Sequence, residues 1–169
     1  MKLEEALRIA IDFEHKVRDH YAHGAGRIKD PAGKRVFAVL AKEEQGHVDY
    51  LEACLAAWSK EGHVHAGTLR TTIKEPAWVK DANKKRRQTT GRVADKHEIE
   101  LLKTALKLED EARAFYGKLA HELPAAEREL FAPFLTIEEG HVAVVQAQLD
   151  SVSGLGFWFD VMEFSLEGQ

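Results

Sequence analysis

Residues 41–51 read AKEEQGHVDYL and place a carboxylate and an imidazole on the apolar face of a helix. Helical spacing aligns Glu44 and His47 with Leu40 and Leu51, so the two polar side chains point in the same direction as the apolar ones. Burying an unpaired carboxylate costs several kcal/mol, which is comparable to the net stability of a small domain. A bound metal ion would supply the compensating charge.

The same pattern recurs in the second half of the chain. Residues 135–142 read LTIEEGHV and repeat the Glu-x-x-His spacing with Glu138 and His141. A lone glutamate precedes each copy on another helical pattern, Glu14 in the first half and Glu109 in the second. The order Glu, Glu-x-x-His, Glu, Glu-x-x-His indicates two diverged copies of a helical hairpin.

Four helical patterns organise the chain. Apolar residues recur at helical spacing over about residues 2–23, 30–60, 95–122 and 124–153. Residues 61–94 lack this spacing and are interpreted as a long crossover between the second and third helices. We therefore predict an all-α four-helix bundle in which residues 1–169 form a single domain. The short aromatic tail, residues 154–169, is expected to pack on the bundle or on another subunit.

Local signals refine the ends of these helices. Gly24 and Gly26 are expected to end the first helix. Asp30 and Pro31 have the order of an N-cap followed by proline at the first helical position, which predicts the start of the second helix. Pro133 falls inside the fourth pattern and is expected to kink that helix one turn before the second Glu-x-x-His.

Composition limits the classes of function. The net charge is −4, and the basic run at residues 84–87 lies among polar residues, so we expect no nucleic-acid partner. Cys54 is the sole cysteine and lies on an apolar helical face, so it is interpreted as a core residue. The sequence starts without an apolar leader and contains no run of about 18 uncharged apolar residues. We expect a cytoplasmic protein without a membrane contact.

Four carboxylates and two imidazoles from four helices can surround a pair of divalent metal ions. The six candidate ligands are Glu14, Glu44, His47, Glu109, Glu138 and His141. This mixture of oxygen and nitrogen donors favours iron or manganese, whereas a structural zinc site more often uses cysteine. Two iron ions are the expected cofactor, and manganese stays open. The alternative without metal is a buried polar network in a degenerate bundle.

With this ligand order, the chain resembles the ferritin-like superfamily and, within it, the rubrerythrin family, over residues 2–60 and 95–153. The resemblance implies two bridging glutamates and one glutamate–histidine pair for each iron: Glu44 and Glu138 as bridges, Glu14 with His47, and Glu109 with His141. Rubrerythrins also carry a rubredoxin module with paired cysteines, which one cysteine cannot build. A further glutamate of that family, one turn beyond the third-helix ligand, is replaced by Ala112.

The resemblance implies a non-haem di-iron oxidoreductase. Its substrate would be hydrogen peroxide or dioxygen, and its electrons would come from an external donor such as a rubredoxin. A ferroxidase or iron-handling protein is the alternative, and a metal-dependent sensing or structural module is the non-enzymatic one. A homodimer is expected, and no catalytic acid can be identified from the sequence.

The sequence also predicts the surroundings of four residues near the candidate ligands. Tyr21 and Tyr116 are interpreted as core aromatics that hydrogen-bond a ligand. Glu43 and Glu139 adjoin the two Glu-x-x-His motifs, but helical spacing turns them towards the flank, and both are predicted to face solvent.

Overall fold

A computed structural model describes residues 1–73 and 95–153 of the chain. These residues form four long helices and one single-turn helix: α1 (Leu3–Arg27), α2 (Pro31–Glu61), α3 (Lys96–Glu122), α4 (Ala125–Arg128) and α5 (Ala132–Val152). The predicted all-helical class with four main helices is confirmed for this part of the chain. The aromatic tail and most of the predicted crossover lie outside the described residues.

Two helix pairs build the bundle. α1 packs along α2, α3 packs along α5, and α1 also contacts α3. The connection between α1 and α2 is short, which makes these two helices antiparallel neighbours. The side chain of Asp30 accepts a hydrogen bond from the backbone N–H of Gly33 at 2.8 Å, and Pro31 opens the helix. The predicted start of α2 is thus confirmed.

Helix α1 continues past the glycines that were predicted to end it. It runs to Arg27, and Gly24 is buried within it. A Cβ atom at Gly24 would overlap Cδ1 of Phe37, far inside van der Waals contact. Glycine therefore serves close packing of α1 against α2 at this point instead of terminating the helix, and the prediction was wrong.

The fourth helical pattern is also not one kinked helix. α4 ends at Arg128, and α5 begins at Ala132 with Pro133 in its first turn. Proline costs little there, because the first backbone N–H groups of a helix have no partner within the helix. Leu130 and Phe131 lie in the break and are each 1% exposed, so the interruption turns two large apolar side chains into the core.

The apolar core consists of two clusters separated by a polar layer. On α1, Ile11 belongs to one cluster and Val17 to the other, with Glu14 between them. On α2, Leu51 and Leu40 bracket the first Glu-x-x-His in the same way. The corresponding pairs on the other two helices are Ala112 and Leu108 around Glu109, and Phe134 and Val144 around Glu138 and His141. The bundle thus holds all six polar residues at one level.

None of the helices in the described part of the chain combines the length and the apolar character needed to cross a membrane.

Candidate metal centre

The structure brings all six predicted ligands together in the polar layer. Each is at most 1% exposed. Two overlapping groups have potential ligand atoms within 4.8 Å of one another: Glu14, Glu44, His47 and Glu138 in one, and Glu44, Glu109, Glu138 and His141 in the other. Each group could hold a metal ion. Glu44 and Glu138 belong to both groups, which is the position that a bridging carboxylate must occupy.

The Nδ1 atom of His47 faces three carboxylates. It lies 2.9 Å from Oε2 of Glu44, 3.2 Å from Oε2 of Glu14 and 3.3 Å from Oε1 of Glu138. These three residues come from three different helices, so α1, α2 and α5 meet at this imidazole.

The Nδ1 atom of His141 faces the other side of the same carboxylates. It lies 2.8 Å from Oε1 of Glu44, 3.4 Å from Oε2 of Glu138 and 3.8 Å from Oε1 of Glu109. Glu44 and Glu138 therefore each turn one oxygen towards one histidine and the second oxygen towards the other. The two imidazole rings stack at a centroid distance of 5.4 Å.

Two buried tyrosines hold the lone glutamates. The hydroxyl of Tyr21 on α1 donates to Oε1 of Glu109 on α3, and the hydroxyl of Tyr116 on α3 donates to Oε1 of Glu14 on α1. The predicted hydrogen bonds from these tyrosines to candidate ligands are confirmed. Their reciprocal arrangement ties α1 to α3 and follows the repeat seen in the sequence.

Burial dominates the electrostatics of the lone glutamates. Loss of hydration raises the pKa of Glu14 well above its usual range, and the neighbouring charges of Glu138 and Glu44 raise it further. Loss of hydration likewise raises the pKa of Glu109, with Glu44 adding to the effect. Without a metal, both side chains are therefore driven towards the neutral carboxylic acid.

The opposite balance holds around Glu44. Burial opposes its ionisation, but the positive charges of His47 and His141 outweigh that effect and lower the pKa of Glu44 well below its usual range. Burial would lower the pKa of His47, but Glu44 and Glu138 raise it well above the usual value. Burial opposes the charge of His141 in the same way, and Glu44 and Glu109 raise its pKa. Without a metal, the protonated imidazoles of His47 and His141 thus supply positive charge next to the ionised carboxylates.

Several buried atoms of the layer lack the partners that such atoms normally have. Oε2 of Glu109 and Oε1 of Glu138 accept no hydrogen bond from the described residues, and the oxygens of Glu44 have close contacts with Nδ1 of His47 and His141 at 2.9 and 2.8 Å that lack hydrogen-bond geometry. Buried carboxylate oxygens are rarely left without a hydrogen bond, because the loss of hydration then goes uncompensated. Convergent oxygens of this kind, together with two imidazole nitrogens, could hold metal ions.

Glu43 was predicted to face solvent, and that prediction was wrong. Its side chain is buried, with 8% exposure for the residue, and it accepts hydrogen bonds from Thr71 and Thr72 of the segment after α2. Burial opposes its ionisation, but His141 and the two threonines lower the pKa of Glu43 to about 2. Glu139 is exposed, as predicted. Helical spacing could not reveal Glu43, because the residues that cover it come from outside the helices.

Comparison with known proteins adds no further identification, since no protein-family model, no curated protein and no solved structure matches this chain.

Proposed function

We propose that this chain is a di-iron oxidoreductase of the ferritin-like, rubrerythrin-related type. The observation that carries the proposal is the pair of shared carboxylates. Glu44 and Glu138 each present one oxygen to either histidine, with the six ligands otherwise divided evenly between two positions. A site for a single metal ion would not require two histidines on opposite sides of two shared carboxylates.

The charges of the layer support two divalent ions. Four ionised carboxylates carry the negative charge that two divalent cations neutralise, and the two neutral imidazoles complete the donor set. Two iron ions bound there would supply the reducing electrons and a Lewis-acidic surface for the oxygen atoms of the substrate.

The tyrosines prepare the lone glutamates for metal binding. Tyr116 occupies Oε1 of Glu14, while Oε2 of Glu14 lies 3.2 Å from Nδ1 of His47, inside the first group of ligands. Tyr21 occupies Oε1 of Glu109 and leaves Oε2 buried without a hydrogen bond from the described residues. Each glutamate is thereby oriented with one oxygen towards the tyrosine and the other available as a ligand.

The proposed substrate is hydrogen peroxide, with dioxygen as the less favoured oxidant. Reduction of peroxide to water consumes two protons with its two electrons. Burial and the neighbouring carboxylates raise the pKa of Tyr21 and Tyr116, so both hydroxyls keep their protons next to the ligands. Phe134 packs edge-on against the ring of His47, with the centroids 5.0 Å apart, and helps to exclude bulk water.

In this proposal the electrons come from a separate donor protein. The sequence contains one cysteine, so it cannot form the paired-cysteine iron site of a rubredoxin module. A separate donor such as a rubredoxin is therefore part of the proposal. The expected homodimer remains a prediction, as does the cytoplasmic location.

Ala112 favours one alternative. This residue is 1% exposed and lies one helical turn beyond Glu109, where the rubrerythrin family has a further carboxylate. This departure from the family counts against peroxide reduction without affecting the six candidate ligands. The alternative function is thus a ferroxidase that uses the same six ligands.

An anaerobic titration with ferrous iron tests the proposal. Saturation at two ions per chain is expected, followed by oxidation that is much faster with peroxide than with dioxygen in rapid mixing, monitored by ferric absorbance in the near ultraviolet. Glu44→Gln should abolish the second equivalent, whereas Glu139→Gln, at an exposed glutamate beside the other bridge, should leave the titration unchanged. Preference for dioxygen with continued iron uptake would favour the ferroxidase. Absence of stoichiometric binding would refute both functions.

A further inference from the structure

One buried carboxylate breaks the two-fold repetition of the site. Glu43 immediately precedes the shared ligand Glu44, and the corresponding residue before Glu138 is Ile137. Both are buried, Glu43 at 8% and Ile137 at 7% exposure, but only the first carries a charge. The two halves of the site therefore differ in the environment behind their ligands.

The difference concerns the Nε2 atoms of His141 and His47, which lie on the side of each ring opposite Nδ1. Nδ1 of His141 faces Glu44 at 2.8 Å, and Nε2 on the opposite side of the ring lies 3.8 Å from Oε2 of Glu43. That separation is characteristic of an ion pair and slightly exceeds a hydrogen bond. Both Nε2 atoms are buried and accept or donate no hydrogen bond among the described residues, but only that of His141 has a carboxylate within ion-pair distance there.

The segment that follows α2 donates hydrogen bonds to both carboxylate oxygens of Glu43. Its Oε2 accepts a hydrogen bond from the hydroxyl of Thr71 at 2.5 Å. Its Oε1 accepts one from the hydroxyl of Thr72 at 2.6 Å and one from the backbone N–H of Thr72 at 3.0 Å. Three donors fix the carboxylate in place, so it can orient the imidazole beside it.

We propose that Glu43 is a positioning residue that holds His141 through Nε2 and makes the two metal positions unequal, with tighter binding at the position of His141. The inference rests on the proposed function only in requiring that the six ligands bind two metal ions. A neutral imidazole that binds a metal through Nδ1 carries its proton on Nε2. The negative charge of a carboxylate 3.8 Å from Nε2 favours the tautomer with the proton on that nitrogen and strengthens the imidazole as a metal donor.

The expected magnitude follows from the effect of such partners in other metal sites. Removing the carboxylate behind a ligating histidine lowers metal affinity by about 10-fold to 100-fold. Glu43→Gln should therefore weaken the tighter binding step by about that factor and leave the weaker step unchanged. Thr71→Val keeps the volume of the side chain but removes one hydrogen bond to Glu43, so it should produce a smaller change in the same direction.

Anaerobic calorimetric titration with ferrous iron compares these variants with the unaltered chain. Glu139→Gln is the matched control, because it makes the same change in an exposed glutamate next to the other shared ligand. We expect two resolved steps in the unaltered chain and in this control, and a smaller separation between the steps in Glu43→Gln. Two ions bound with the same affinities in all three proteins would overturn the role of Glu43 while leaving the proposed function intact. If no ion binds to the unaltered chain, the proposed function fails as well.

A second measurement needs no variant. In the unaltered protein labelled with ¹⁵N-histidine and loaded with zinc as a diamagnetic probe, the Nε2–H proton of His141 should resonate further downfield and exchange more slowly with solvent than that of His47. Equal resonances for the two histidines would overturn the proposal even if Glu43→Gln fails to fold. A purely structural role for Glu43 would not distinguish the two protons in this way.

Discussion

Loading the metal-free protein with two divalent ions should release about four protons per chain near neutral pH. Burial raises the pKa of the Glu14 and Glu109 carboxyls, and the surrounding carboxylates raise the pKa of the His47 and His141 imidazoles. We expect all four groups to carry a proton without metal and to lose it on binding, because a metal ligand must be deprotonated. Two protons per ion would make each apparent affinity rise by about 100-fold per pH unit.

Calorimetry in two buffers of different ionisation enthalpy measures this release directly, since the difference in the observed heats is proportional to the number of protons transferred. Glu14→Gln replaces a group that is expected to be neutral without metal by a neutral amide of similar shape. It should therefore fold normally and release about one proton fewer than the unaltered chain. Glu139→Gln should release the same number as the unaltered chain.

A release close to zero would refute the electrostatic account of the layer, because it would mean that the four groups are already deprotonated without metal. An unchanged release in Glu14→Gln would refute the specific assignment of one proton to that carboxyl. Either result could coexist with metal binding, so the measurement tests the electrostatics separately from the proposed function.

Three further predictions concern stability. Tyr116→Phe removes the buried donor to Glu14 and should lower the free energy of unfolding by about 1–3 kcal/mol in urea denaturation, whereas an unchanged midpoint would contradict that role. Gly24→Ala should lower the free energy of unfolding by about 1–3 kcal/mol, because the new methyl group overlaps the ring of Phe37. Gly117→Ala, where the methyl group would have no neighbour within 4 Å, should raise the free energy of unfolding by about 0.5–1 kcal/mol. Equal effects of the two substitutions would refute this reasoning. The raised pKa values of the lone carboxyls and both site histidines mean that the folded metal-free chain binds extra protons at these four groups. Their contribution to stability is complete below their unfolded pKa values and is lost as the pH rises through the raised ones. Denaturation at several pH values from about 6 to 9 should show this decline, and a rise would contradict it.

Helical periodicity was sufficient to predict which residues gather in the polar layer. The spacing of three residues between Glu44 and His47 places both on one face of any α-helix, and the apolar residues before and after them direct that face inwards. The repeat then supplied the second pair, Glu138 and His141. These inferences depend on local geometry, which a sequence specifies well.

The features that were missed depend on contacts between distant segments. The role of Gly24 follows from the ring of Phe37 on the next helix, and the burial of Glu43 follows from Thr71 and Thr72 in a segment without helical spacing. Pro133 was assigned to a helix interior because the apolar pattern continues through residues 130 and 131, although those residues belong to a turn that points into the core. Neither propensity nor periodicity contains this information.

The position of the segment after α2 explains why the two metal positions differ in affinity although their ligands repeat. Two copies of a helical hairpin generate two equivalent sets of ligands and place the shared carboxylates between them. The segment that carries Thr71 and Thr72 occurs where the copies are joined, and a junction occurs only once in a chain with two copies. It can cover the back of one half of the layer, and it covers the half that contains His141 through Glu43. A carboxylate at residue 137 would lack this support, which is consistent with the isoleucine found there.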